Sequence, residues 1–101
     1  MNRQEVTVVR IYLTEGERLL DPLLEQLHDR EEVMGVTVFR GTRGYGRSGR
    51  MHGESLPDLA FDLPLAVEFF DLPERAEPVL ERIAEWFEPG HILVWSAFTN
   101  A

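Results

Sequence analysis

The sequence predicts an α+β sandwich of order β-α-β-β-α-β, a four-stranded antiparallel sheet with two helices on one face, in the ferredoxin-like arrangement. Three observations lead there. Four separate segments are rich in β-branched and aromatic residues, as strands are. Two stretches repeat Leu, Val, Ile and Ala at helical spacing. Each of those stretches lies between two of the strands, so two right-handed β-α-β units interleave. With 101 residues the chain fits one domain, residues 1–101, and is long enough to build a single core.

The first strand is Glu5 to Leu13, with Thr7, Val9, Ile11 and Leu13 on one parity and Val6, Val8, Arg10 and Tyr12 on the other. Leu20, Leu23, Leu24 and Leu27 follow at i, i+3, i+4 and i+7, the stripe of an amphipathic helix. Asp21 before Pro22 reads as its N-cap and first-turn proline, and Gly35 as the glycine past its end. Val36 to Arg40 is the second strand, and Leu65 to Asp71, after Pro64, the third. Ala76, Val79, Leu80, Ile83 and Phe87 mark the second helix, Pro89-Gly90 ends it, and Ile92 to Phe98 is the last strand.

These strands are apolar on both parities, although helices cover only one face of such a sheet. Val6, Val8 and Tyr12 oppose Val9 and Ile11; Phe70 opposes Leu65, Val67 and Phe69; Leu93 and Trp95 oppose Ile92 and Val94. A face that apolar exceeds what soluble monomers leave exposed, so self-association through the open sheet is expected. Arg10 and Glu68, on neighbouring strands of that face, are expected to pair.

Composition narrows the function. There is no cysteine, which excludes disulfides and thiolate metal sites and fits a reducing compartment. The longest run without a charged residue is the 13 residues from Pro89 to Ala101, and the first residues resemble no secretory signal. A cytoplasmic protein without membrane insertion is expected. Eighteen acidic residues against ten basic ones, net −8, argue against nucleic acid as a partner. Yet residues 40–53 hold four of the ten arginines, five of the eight glycines and no acid. That segment is +4 in a chain whose remainder is −12.

This segment opens a loop of about two dozen residues, 41–63, where a hairpin needs two to five. Gly44 to Gly49 spells G-x-G-x-x-G, but it follows a second strand and opens no helix, so the dinucleotide-binding reading fails. What remains is anion chemistry. Glycines let the backbone approach an anion closely, and guanidinium groups grip phosphate or carboxylate with two hydrogen bonds. The competing reading is a ligand-independent interaction module that sets the Arg/Gly loop on an acidic partner surface. Elsewhere, His28, His52 and His91 lack metal-ligand spacing, and Gly46 to Gly49 is no nucleophile elbow. Glu54, Asp58 and Asp62 read as solvated loop carboxylates, and Trp86 and Trp95 as core or interface aromatics. No catalytic residue, metal or cofactor is expected, and the weakest reading is an enzyme using His52 with Asp58 or Glu54.

Gly35-Val36-Thr37-Val38, Arg40-Gly41, Gly44-Tyr45-Gly46, His52, Ser55 and Asp62-Leu63-Pro64 together resemble the family catalogued as domain of unknown function 190. The resemblance spans nearly the whole chain and implies PII-like subunits that form homotrimers through their sheets. The chain is similar, more distantly, to the nitrogen-regulatory PII proteins, whose Gly-[Ile/Val]-Thr-Val and Lys-Gly-[Phe/Tyr]-Gly-Arg stretches match Gly35–Val38 and Arg43–Arg47. That likeness implies a non-catalytic regulator with a small anionic ligand, such as a nucleotide, in clefts between subunits. Thr37, Arg40, Arg43, Gly44, Tyr45, Gly46 and Arg47 would then border the cleft. Arg50, His52 and Ser55 would belong to a flexible effector loop, the T-loop of PII proteins, that controls a partner such as a membrane transporter or channel. The PII phosphate-binding stretch before the last strand is replaced here by Phe87–His91 without lysine. Phosphate contacts then fall to Arg40, Arg43, Arg47 and Arg50.

Overall fold

Val, Ile and Thr crowd the first fourteen residues, and there the chain runs extended as β1 (Arg3–Thr14). The computed structural model describes residues 1–46, 48–53 and 62–101. Beyond β1 come α1 (Leu20–Glu25), β2 (Gly35–Arg40), β3 (Arg43–Gly44), β4 (His52–Gly53), β5 (Pro64–Asp71), α2 (Pro73–Ala84) and β6 (Ile92–Asn100). The main sheet has the order β2-β5-β1-β6, and every pair in it is antiparallel. This is the ferredoxin-like sandwich that the sequence predicts.

The odd parity of β1 faces the helices. Val9, Ile11 and Leu13 meet Leu65, Val67 and Phe69 of β5, and Leu23, Leu27, Val79 and Ile83 descend on them from above. Leu20, Leu24, Val36, Leu80 and Phe87 pack around this buried set. The fold therefore rests on the stripes that the sequence displays, and burying each of these side chains contributes about 1.5–3 kcal/mol.

Three local expectations are corrected. Asp21 is not the N-cap of α1; the helix starts at Leu20, with Leu19 before it, so Asp21 lies in the first turn. There its charge still favours the positive end of the helix dipole. Gly35 does not close the helix either. α1 continues as a π-helical stretch, Gln26–Arg30, and the left-handed residue just beyond it is Glu32, φ 52°. Gly35 instead starts β2, where the ring of Phe70 lies so close that a Cβ would come within 2.7 Å of it. Finally, the helices do not cover the edge strand β6. Val94 pairs with Val9 on the helix side, yet both Val94 and Phe98 are exposed, and only Ile92 of that face joins the core.

The segment after β2 contains a ribbon that its sequence does not announce. β3 and β4 pair as Arg43 with Gly53 and Gly44 with His52, around a turn in which the Gly49 amide donates to the Gly46 carbonyl. Gly53 is required there, because a Cβ would stand 2.7 Å from the Thr42 carbonyl oxygen.

Candidate functional site: a cleft under the arginine–glycine ribbon

The ribbon overhangs the end of the sheet and leaves a cleft of about 870 Å³. On the ribbon side it is lined by Arg40, Arg43, Gly44, Tyr45, Gly46 and His52. The sheet contributes Tyr12 and Phe39, and the link between α2 and β6 contributes Glu88, Gly90 and His91. Five of the seven residues expected to border a ligand are thus brought together. Thr37 is not among them: it stands on the open sheet face, opposite Glu68 in register. Arg47 and Ser55 lie outside the described residues. Of the expected effector-loop residues, His52 lines the cleft itself, and Arg50 does not.

The geometry is set by short backbone approaches. The Gly41 amide donates to the Pro64 carbonyl at 2.7 Å, and the Glu15 amide donates to the Leu63 carbonyl at 3.0 Å, joining both ends of the 41–63 segment to the sheet. The Gly16 amide donates to Asp62 Oδ1 at 2.7 Å. Burial raises the Asp62 carboxyl, but the Gly16 amide, the Thr14 hydroxyl and His52 more than offset it and hold the group below its ordinary value. Arg40 is engaged by Glu15 through its Nε. Across the cleft, His91 Nδ1 lies 3.0 Å from the Tyr12 carbonyl, and the Tyr12 amide donates to the His91 carbonyl at 2.9 Å. Two guanidinium groups and a run of glycines thus share one concavity with two tyrosines and Phe39. Such a surface suits an anion that carries a flat or apolar part.

Tyr12 and His91 escape sequence reasoning because they are distant in the chain from the cleft's arginines, whereas Phe39 directly precedes Arg40 and that adjacency could have found it. Parity holds a signal for Tyr12, which shares the open face with Arg10. That open face continues from the cleft, with Tyr12 41%, Phe39 49%, Leu93 49% and Trp95 39% exposed. At its centre Arg10 pairs with Glu68 at 2.7 Å, as expected from their strands. The guanidinium lies 5.8 Å from the Phe39 ring centre and 5.6 Å from that of Trp95. Hydrogen bonding to Tyr12 and then to Glu68 holds Arg10 above its ordinary value.

A family model matches residues 6–98: DUF190, described as "Uncharacterized ACR". The chain belongs to the DUF190 family. A UPF0166 protein of Methanocaldococcus jannaschii is 28% identical over 91 residues, spanning 86% of this chain and 83% of that one. A UPF0166 protein of Aquifex aeolicus is 36% identical over 69 residues, spanning 68% of this chain and 65% of that one. Among solved structures, CPII of Thiomonas intermedia bound to ADP and bicarbonate superposes on this DUF190 chain with a TM-score of 0.72 at 22% identity, covering 99% of this chain and 93% of that one. A protein of Thermus thermophilus described as PII-like gives 0.71 at 21%, covering 99% and 94%. The fold is PII-like. Among the described residues no helix is long and apolar enough to cross a membrane.

Proposed function

We propose that this DUF190 chain is a non-catalytic, homotrimeric regulator that binds a small anionic ligand, a nucleotide, in clefts at its subunit boundaries. The observation that carries the reading is the convergence of Arg40, Arg43, Gly44, Tyr45 and Gly46 on one cleft that runs into the exposed apolar sheet face. A neighbouring copy on that face would complete each cleft. CPII, of the same fold, is described as bound to ADP and bicarbonate, which supports an adenine nucleotide as the first ligand class to try. In the cytoplasm, ligand binding shifts the arrangement of the 41–63 segment, whose changed surface then acts on a partner protein such as a membrane transporter or channel. The ligand can bias that segment only by its differential affinity for the two arrangements.

A thermal-shift screen with ADP, AMP, ATP and bicarbonate tests this. A ligand at 100 times its dissociation constant stabilises the fold by about 2.7 kcal/mol, and Arg43→Ala is expected to remove the shift. If nothing shifts the melt and partner capture collapses with salt, the ligand-independent module replaces the sensor.

A further inference from the structure

His52 lies at the middle of the 41–63 segment and Asp62 at its end, and they meet beside the cleft. His52 Nδ1 is 2.8 Å from Asp62 Oδ2, and the two side chains are only 14% and 23% exposed. The nitrogen is buried, and among the described residues none is aligned with it as a hydrogen-bond partner. A charged ring adds Coulombic attraction to this contact that a neutral ring lacks, so the contact is stronger when the imidazole is protonated. Asp62 itself is fixed to the body of the protein, since its other oxygen accepts the Gly16 amide at 2.7 Å. His52 is fixed to the ribbon by its pairing with Gly44.

We propose that this pair is a proton-operated latch: an imidazolium at His52 locks the β3–β4 ribbon onto Asp62, and the neutral ring releases it. The latch deepens the regulatory reading above and rests on it only for its consequence, a cleft better formed at low pH. The cleft also holds Arg40 and Arg43, Glu17 and Glu88, and Tyr12, Tyr45 and His91. Of these residue types only imidazole ordinarily changes charge between pH 5 and 8. His91 is the competing group, and it faces the Tyr12 carbonyl rather than the ribbon's carboxylate anchor.

Amide hydrogen exchange of the ligand-free protein at residues 43, 44, 52 and 53, corrected for intrinsic rates, tests the latch at pH 5.5 and 8. The expected result is exchange about tenfold slower at the lower pH. His52→Asn and Asp62→Asn are expected to abolish that difference, and His91→Asn to retain it. An asparagine at 62 still offers an oxygen to the Gly16 amide, so the Asp62 variant keeps that anchor. Equal protection at the two pH values in the native protein, or a difference that survives in His52→Asn, overturns the proposal. ADP titrations of the same proteins address the other reading. If ADP binds none of them at either pH, the nucleotide sensor fails while ribbon exchange still decides the latch.

Discussion

An added Cβ at position 16 would lie 2.6 Å from Asp62 Oδ1, the oxygen that accepts the Gly16 amide. Gly16→Ala must therefore displace the carboxylate and strip its hydrogen bond, at a cost of about 1–3 kcal/mol. Urea unfolding reads that cost, and a change under about 0.3 kcal/mol would show that the approach is not constrained. Glu31 makes a second residue-level case. Arg82 grips its carboxylate at 2.6 and 2.7 Å and Gln26 adds 2.8 Å. The Arg82 hydrogen bond, against the opposing effect of burial, holds Glu31 below its ordinary value of 4.5. A carboxyl lowered in this way contributes stability that is complete above its unfolded value and is lost as pH falls through the folded one. Glu31→Gln should cost about 1–2 kcal/mol at pH 7, and its stability should fall less than that of the native protein below about pH 4.5. Parallel acid limbs in the two proteins would refute the coupling. Neither of these contacts is legible in the sequence, because 46 and 51 residues separate their partners.

The helices and strands themselves are legible, since repeated apolar positions announce them, but their ends are not. Leucine spacing places the buried face of the first helix correctly, while Asp21 and Gly35 mislead about its limits. Both residues have a use elsewhere, the one in the first turn and the other beneath Phe70, and cap signals do not distinguish such uses. The β3–β4 ribbon escapes for another reason: a ladder with only two residues on each strand has no periodicity. Two element-scale outcomes follow. Leu27→Ala, in the π-helical stretch and fully buried, should cost about 3 kcal/mol by calorimetry. Glu32→Gly should stabilise the helix end by up to about 1 kcal/mol, because Glu32 alone there holds a positive φ of 52°. A lowered melting temperature in Glu32→Gly would mean that the side chain contributes more than the backbone strain costs.

At the scale of the molecule, apolar strands on both parities already imply a second partner for the sheet, and the exposed Tyr12, Phe39, Leu93 and Trp95 give that implication a location. Sedimentation should give a trimer for the native chain and a monomer for Trp95→Glu. Glu68→Ala, which removes the carboxylate that pairs with Arg10 at the centre of the face, should shift the equilibrium in the same direction. An unchanged trimer in both variants would place the subunit boundary elsewhere. Tyr12 and Phe39 belong to this face and to the cleft wall alike. Two equilibria that share side chains are thermodynamically linked, and the linkage is reciprocal. Diluting the protein would then weaken its apparent grip on the ligand, and adding ligand would hold the assembly together at lower concentration. A binding constant measured at one protein concentration would describe that concentration only, and the cellular abundance of the chain would become part of the signal it transmits.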